Sequence, residues 1–545
     1  MRSVVPVLPR LSSAIEGRVF DVLVLGGGIN GTGVARDAAR RGLSVALVEK
    51  EDFGYGTTGR STRLIHGGLR YLAMYDFGLV RESLRERERL FHNAPHLVRP
   101  LTFLIPFYKG QRTPPFVLKL GLLFYDFLAG RSVVPRHRVY SRDALLALEP
   151  GLRREGLRGG ASYGDGQVPL VERLCVENVL DAAAHGAIAL NHARAESVER
   201  EGDVWVARVT DLLTGRPCTL RARFVVNTTG PWLERLTGFK HVKSRMTKGI
   251  HFVAPQHTRN AVLLFSPDDD RVFFSIPWNG HQLVGTTDTD FVAEPDEVAA
   301  DAADVDYLQR GIRYVLPGAD VGTVHYAYAG IRNLVPEEGK SESDVSRRHQ
   351  IIRQDDMPNV ISLVGGKITP FRDVCEELVD LLTDAPCDTA EAPLPGAPAE
   401  LASLIHALAR RCREMGLPAS HAETLATTFG TRAHLVLDRV VADASEGEAV
   451  CTHAPMMRAE VAFAVEAEMA RTAADVLLRR TRVGWEPCEG RDALPAVLDI
   501  LDRMLGRDAA GRKADEAAYL GEIAKRHRFR TGVGSTGSAP AGAGS

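Results

Sequence analysis

The stretch Phe20–Glu49, FDVLVLGGGINGTGVARDAARRGLSVALVE, decides the fold. Its opening FDVLVL is a nearly all-apolar, β-branched run that stops abruptly at Gly26-Gly27-Gly28, which is how a strand buried on both faces reads. Ile29 to Arg41 then has helical character, closed by Gly42, and Ser44–Val48 is a second buried strand ending at Glu49. Strand, helix and strand follow one another within about thirty residues, the size of one crossover unit. Gly26, Gly28 and Gly31 sit at GxGxxG spacing. The first permits the tight turn, the second lets backbone approach a pyrophosphate, and the third lets helix and strand pack closely, with the helix N-terminus facing the anion. Asn30 lies in the same turn, and Glu49 is placed to accept hydrogen bonds from ribose hydroxyls, which argues against a 2′-phosphate.

Working outward, two more glycine turns follow buried strands. Asn227–Trp232 (NTTGPW, with Gly230) follows FVV, and Gly365-Gly366-Lys367 follows ISLV. Distant segments of one chain returning to the same kind of turn suit a flavin wrapped from several sides, so FAD is the expected cofactor. Between them, strand-like runs such as RVFFSIPW and QLVGTTDT alternate with turns and a few helical stretches. The expected fold class is α/β: a Rossmann-type FAD-binding domain interleaved with an α+β substrate domain (19–383). A Pro- and Ala-rich linker (384–400), a C-terminal all-α domain (401–530) and a low-complexity, disordered tail (531–545) follow.

The 545-residue length fits two to four such units. A formal net charge of -2 gives no global reason to expect nucleic acid, and requires any anionic substrate to be held by local cations. Seven scattered cysteines, with no CxxC or zinc spacing, read as free thiols in a reducing cytoplasm, with no metal. The first twenty residues are broken by Pro6 and Pro9 and do not read as a secretory signal, and no apolar run reaches the length of a membrane span.

Several segments resemble the FAD-dependent (aerobic-type) glycerol-3-phosphate dehydrogenases, within the D-amino-acid-oxidase-like superfamily. They are GGGINGTG (26–33), TTGRSTRLIHGGLRYL (57–72), TTGPW (228–232), KGIHFV (248–253), IPW (276–278), GTTD (285–288), GIRNL (330–334) and VGGKIT (364–369). MARTAADVLLRRT (469–481) is similar to the family's helical module. The resemblance spans about residues 19 to 490, and LIHGGLRYL is its most specific piece. It implies oxidation of sn-glycerol 3-phosphate to dihydroxyacetone phosphate by hydride transfer to flavin N5, with electrons passed to a quinone. It also implies that Thr57, Thr58, Ser61 and Leu69 touch FAD, that His66-Gly67-Gly68 passes beside the isoalloxazine ring, and that Gly365, Gly366, Lys367, Ile368 and Thr369 complete the flavin cradle.

Oxidising a secondary alcohol also requires a base and a holder for the phosphate. Histidine has the pKa for a base near neutrality; His66 is the first candidate and His251 the second. Guanidinium and ammonium groups suit a phosphate dianion, which points to Arg332 and Lys367, then Arg70 and Arg347, with Arg348 as an alternative register for the last. Lys367 is equally suited to polarising the substrate oxygen or the flavin. Three positions depart from the family pattern: Ile368-Thr369-Pro370-Phe371-Arg372 after the glycine pair, Pro169-Leu170 where paired aspartates are usual, and Asn333 where proline is common.

Residues 114–130 (PPFVLKLGLLFYDFLAG) are strongly apolar with basic neighbours. They read either as a buried core helix or as a segment lying on anionic lipid. The family's peripheral membrane character and quinone acceptor fit the second reading and place the chain in the cytoplasm, at the inner face of the membrane, with a homodimer as the candidate assembly. Competing functions are an oxygen-using glycerol-3-phosphate oxidase, a paralogous FAD-dependent 2-hydroxy-acid or amine oxidoreductase, and a non-catalytic flavin-binding regulatory protein.

Overall fold

In the strand Val19–Leu25 every residue from Val22 onward is buried, as a β-branched run covered on both faces must be. The computed structural model describes residues 15–72, 76–111, 114–236, 243–336 and 348–531. Val19–Leu25 pairs in parallel with Val45–Val48 on one side and with Pro217–Asn227 on the other. Met357–Val364 and Ile188–Leu190 extend the parallel set outward, one on each flank. All five strands therefore end at one edge. The turns that follow them, at Gly26, Glu49, Thr228 and Gly365, converge there although they are hundreds of residues apart, the usual position for a ligand in an open parallel sheet. A meander of Ala193–Glu201 and Val204–Asp211 and an antiparallel strand, Gln350–Gln354, complete an eight-stranded sheet.

The helix Ile29–Arg40 lies between the helices Glu172–Ala184 and Phe371–Val379. Arg36 reaches Asp181 at 2.6 Å and Arg41 reaches Asp37 at 2.5 Å, so the charges this helix buries are paired.

Segments inserted between these strands build a second, ten-stranded sheet. Near one edge of it, Arg245–Pro255 is flanked antiparallel by Tyr326–Leu334 on one side and His281–Gly285 on the other. Arg99–Tyr108 and Leu157–Gln167 form its other wing and carry it to Leu64–Ile65. The expected interleaving of a nucleotide-binding sheet with a substrate sheet is thus observed.

The C-terminal unit comprises the helices Leu401–Glu414, His421–Phe429, Ala433–Ala442, Arg458–Ala467, Leu494–Leu505 and Ala509–Lys525, with a π-helical turn at Asp475–Arg480. It shares a core with the second sheet, where Val461, Leu477 and Trp485 pack with Trp278, Tyr326 and Tyr328. It is pinned to the first sheet by buried ion pairs: Asp52 takes both Arg480 (2.6 Å) and Arg479 (3.0 Å), and Arg173 meets Glu468 at 2.5 Å.

Two segments take a definite form. Residues 384–400 carry no helix or strand, but they are a packed strap rather than a free tether. Leu394 is buried, its N–H donates to Asn93 O, Arg36 donates to Ala392 O, and the Gly396 N–H donates to the Glu177 carboxylate. Residues 114–130 form the helix Pro115–Ala129, and it is not a core helix. Leu122 and Tyr125 turn inward, whereas Phe116, Leu120, Leu123 and Phe127 are 58–77% exposed. Among the described residues no helix is long and apolar enough to cross a membrane. Apart from Thr531, the expected tail lies outside the described residues.

Candidate active site

A cavity of about 1160 Å³ runs from the ends of the parallel strands to the second sheet. At the first end the glycine turn is sterically determined. Gly26 has φ +97°, and a Cβ on Gly31 would lie 1.9 Å from Gly26 O and 2.5 Å from Thr228 Oγ1, so the helix can start this close to the strand only without a side chain there. A Cβ on Gly28 would meet nothing nearer than Thr58 Oγ1 at 3.5 Å; its open side faces the cavity. The helix beginning at Ile29 has glycine at its N-cap and no acid in its first turn, and only its Ile29 N–H is taken by a side chain, Thr58 Oγ1 at 3.1 Å. Its positive end is therefore available to an anion.

Glu49 accepts from the Gly27 N–H at 2.6 Å and the Glu51 N–H at 2.8 Å, one on each oxygen, and burial pushes its carboxyl above the usual range. Each oxygen keeps a further acceptor position. The cavity continues past Asn30, Thr57, Thr58, Ser61, Gly68, Leu69 and Gly230 to Gly365, Gly366, Ile368 and Thr369. These residues suit a dinucleotide: an anion position, an acceptor for ribose hydroxyls, and a long channel for a ring system. Gly67 lies behind this wall, where a Cβ would strike Leu84 and Tyr125 at 2.4 Å.

The far end holds the reactive candidates. His66 lines the cavity, and its backbone N–H donates to Thr369 Oγ1 at 3.0 Å. Burial lowers its pKa to about 4; Asp165 opposes this, while Lys367 and Arg87 add to it. The imidazole is therefore neutral at physiological pH and able to accept a proton. Asp165, buried, receives the Gly67 N–H (3.1 Å), Arg87 Nη1 (2.7 Å) and the Tyr125 hydroxyl (2.9 Å), which fixes the His66-Gly67 turn.

Arg332 is on Tyr326–Leu334 and donates Nη2 to Thr286 Oγ1 (2.9 Å) and Nη1 to Asp288 Oδ1 (3.0 Å). Gly249, on the paired strand, makes room for it, since a Cβ there would lie 2.4 Å from Nη2. Lys367 Nζ lies 3.3 Å from the centroid of the Tyr71 ring. Thus His66, Arg332 and Lys367 share the cavity wall although they come from three separate segments.

His251 is one layer deeper. It is buried, stacks on its cross-strand neighbour Tyr328 (centroids 5.1 Å apart), and exchanges a hydrogen bond with Thr62 Oγ1 at 2.8 Å; Thr62, not His251, lines the cavity. Burial, with Arg332 and Arg63, lowers its pKa to about 3. Arg348 pairs with Asp76 at 2.5 Å and does not line the cavity. Arg347 and the side chain of Arg70 lie outside the described residues.

Among the departures, Phe371 is buried against Gly33, and Leu170 belongs to the core, where the neighbouring Pro169 carbonyl accepts from Trp278 Nε1. Neither they nor Pro370 line the cavity; Asn333 does, donating Nδ2 to Gly230 O at 2.9 Å. Sequence reading did not single out Asp165, Tyr71, Arg271 or the Thr286–Asp288 shelf, all of which line the cavity. The GTTD motif contains the shelf and LIHGGLRYL contains Tyr71, so these two carried a signal.

Comparison with known proteins agrees with this geometry. Residues 21–368 match the family described as FAD dependent oxidoreductase, and 387–512 match the C-terminal domain of alpha-glycerophosphate oxidase. The chain is 39% identical over 521 residues to a glycerol-3-phosphate dehydrogenase of Synechocystis sp., covering 90% of this chain and 94% of that one. It is 35% identical to an aerobic glycerol-3-phosphate dehydrogenase of Bacillus subtilis, covering 92% and 94%. Its fold matches the structure of glycerol-3-phosphate dehydrogenase from Bacillus halodurans complexed with FAD, with a TM-score of 0.79, 27% identity, and 94% and 96% of the two chains covered. From its glycine turn to its helical unit, the chain belongs to the FAD-dependent oxidoreductase family and, within it, to the glycerol-3-phosphate dehydrogenases.

Proposed function

We propose that the chain oxidises sn-glycerol 3-phosphate to dihydroxyacetone phosphate and hands the electrons to a quinone at the cytoplasmic face of a membrane. The observation that carries the reaction is the meeting of a neutral histidine, an arginine and a lysine in one cavity whose other end has the features of a dinucleotide site. FAD, when bound, supplies the hydride acceptor. Arg332 and Lys367 bind the phosphate dianion, and the Thr286–Asp288 shelf keeps the guanidinium fork oriented. His66 holds the hydroxyl proton at an imidazole nitrogen, on a turn fixed by Asp165 and Thr369. Phe103, Tyr163, Leu263 and Phe274 form an apolar wall that keeps bulk water from the reacting carbon.

The test is anaerobic mixing of the purified flavoprotein with sn-glycerol 3-phosphate. Flavin absorbance bleaches with this substrate and not with glycerol or lactate; flavin that stays oxidised removes the substrate assignment.

The membrane part of the proposal is supported by the exposed apolar face of Pro115–Ala129, by the flanking Lys109, Arg131, Arg136 and Arg138, and by Leu118 of the same helix, which lines the cavity. The test is flotation with anionic liposomes: the expected result is that the protein floats and Phe127→Glu does not, and equal behaviour of the two argues against membrane binding. An oxygen-using oxidase is the second reading, favoured by the match of 387–512 to the C-terminal domain of alpha-glycerophosphate oxidase. Quinone reduction without oxygen uptake excludes it.

A further inference from the structure

Read along the chain, the cysteines show no metal spacing, but the helical unit brings two of them together. Cys451-Thr452-His453 lies in the loop before the helix Arg458–Ala467, and Cys488 and Asp492 lie in the loop before Leu494–Leu505, which packs on that helix. One ligand atom from each of Cys451, His453, Cys488 and Asp492 falls within 4.8 Å of all the others. Cys451 Sγ is 3.7 Å from Asp492 Oδ1, and His453 Nδ1 is 3.2 Å from Asp492 Oδ2. A tetrahedral ion with bonds of about 2.0–2.3 Å has edges of roughly 3.3–3.8 Å; the approaches of Cys451 and His453 to the two Asp492 oxygens are close to such edges, and the full set, within 4.8 Å, contracts by about an ångström at most to grip an ion.

The surroundings are arranged as such a shell requires. Thr452 donates both its N–H (2.8 Å) and its hydroxyl (2.7 Å) to Asp492 Oδ2, which orients the carboxylate, and the His453 N–H points at Cys451 Sγ (3.4 Å), where it would stabilise a thiolate. Cys451 is buried, Cys488 half-buried, and His453 and Asp492 exposed, which leaves the solvent side open for a metal to enter. None of the four lines the active-site cavity.

We propose that Cys451, His453, Cys488 and Asp492 form a structural zinc site. Two sulfurs, an imidazole and a carboxylate favour zinc over calcium or magnesium, which take oxygen donors. Four protein ligands close the tetrahedron, so the ion is structural rather than catalytic. On binding, the two thiols release their protons to solvent and the sulfurs coordinate as thiolates, with no change of oxidation state. The ion clamps the two loops that lead into the Arg458–Ala467 and Leu494–Leu505 pair.

The test uses the full-length flavoprotein, purified without chelator or histidine tag, incubated with zinc sulfate, desalted and analysed for metal. Wild type retains about one zinc per chain. Cys451→Ser retains none, and His453→Gln, at an exposed position that does not endanger folding, weakens retention by at least roughly tenfold. Flavin content and turnover of His453→Gln remain those of wild type. Cobalt in place of zinc gives the intense d–d bands of a tetrahedral thiolate site, to the red of the flavin absorption. Zinc at background in wild type, or equal zinc in wild type and both variants, overturns the assignment. So does a Cys451–Cys488 disulfide that forms on mild oxidation as readily with zinc present as without it.

Discussion

Gly31 and Gly28 belong to the same motif yet are predicted to fail in opposite ways. In Gly31→Ala the new methyl would lie 1.9 Å from Gly26 O and 2.5 Å from Thr228 Oγ1. A carbon normally stays about 3.3 Å from a carbonyl oxygen, so the start of the helix must retreat by more than ~1 Å. Gly26 cannot simply yield, because its carbonyl is set by φ +97° and accepts the Thr228 hydroxyl at 3.1 Å. Overpacking of this kind costs about 1–3 kcal/mol, and the severity of this clash places it near ~3 kcal/mol, expressed in the flavin-free protein. Moving the helix N-terminus away from the pyrophosphate position also weakens FAD binding, by roughly a hundredfold if ~2.7 kcal/mol is lost. Gly28→Ala differs. Its φ of -70° suits alanine, and the methyl meets no protein atom closer than 3.5 Å. The flavin-free fold is kept to within about 1 kcal/mol, while the methyl occupies space facing the cavity and FAD affinity falls. Thermal unfolding of the flavin-free proteins, paired with fluorescence titration of FAD, separates the two effects. A Gly31→Ala protein that melts with wild type, or a Gly28→Ala protein as destabilised as Gly31→Ala, refutes the assignment of packing to one glycine and ligand approach to the other.

Replacing Arg332 by Lys keeps the charge but loses the fork that spans Thr286 and Asp288. KM for sn-glycerol 3-phosphate rises about 10–100-fold, and an unchanged KM in dye-linked steady-state kinetics removes Arg332 from the phosphate site. His66 has its folded pKa lowered to about 4 from an ordinary 6.5, so between these values the unfolded chain binds more protons. The corresponding stability is complete above about pH 6.5 and is lost as pH falls towards 4. His66→Gln flattens that decline in a pH series of melts and depresses kcat; a parallel decline in wild type and variant contradicts the assignment. Asp52→Ala leaves Arg479 and Arg480 buried without their shared carboxylate and costs about 3–5 kcal/mol. Adding Arg480→Met restores part of that loss in thermal melts if the penalty comes from the stranded charge, and restores nothing if it comes from lost packing.

Legibility followed the range of the interactions. The turn at Gly26–Gly31, the acid at Glu49 and the cavity positions of Thr57, Thr58 and Gly365 could be read because each depends on neighbours within one strand–turn–helix unit or on a quoted motif. Asp165 could not be singled out: its role depends on Gly67, Arg87 and Tyr125, which three different elements deliver. Periodicity left the helix Pro115–Ala129 undecided, because an apolar run reads alike against a core and against solvent until its partners are known. The strap at 384–400 looked like a tether because proline-rich composition reports the lack of helix and strand, not the presence of packing.

What the sequence by itself determined is therefore the dinucleotide-binding architecture, the flavin, the interleaved plan and the family, all carried by local patterns that survive without coordinates. The tertiary structure alone decided which candidates face the cavity: His66, Arg332 and Lys367 reach it, while His251 stands behind Thr62 and Arg348 turns to Asp76. It also brought Cys451 and His453 beside Cys488 and Asp492. The physical reason is that parallel strands, a shared sheet edge and two helices packed side by side bring together groups far apart in sequence, and the burial that sets their charge state exists only once those elements have closed around them.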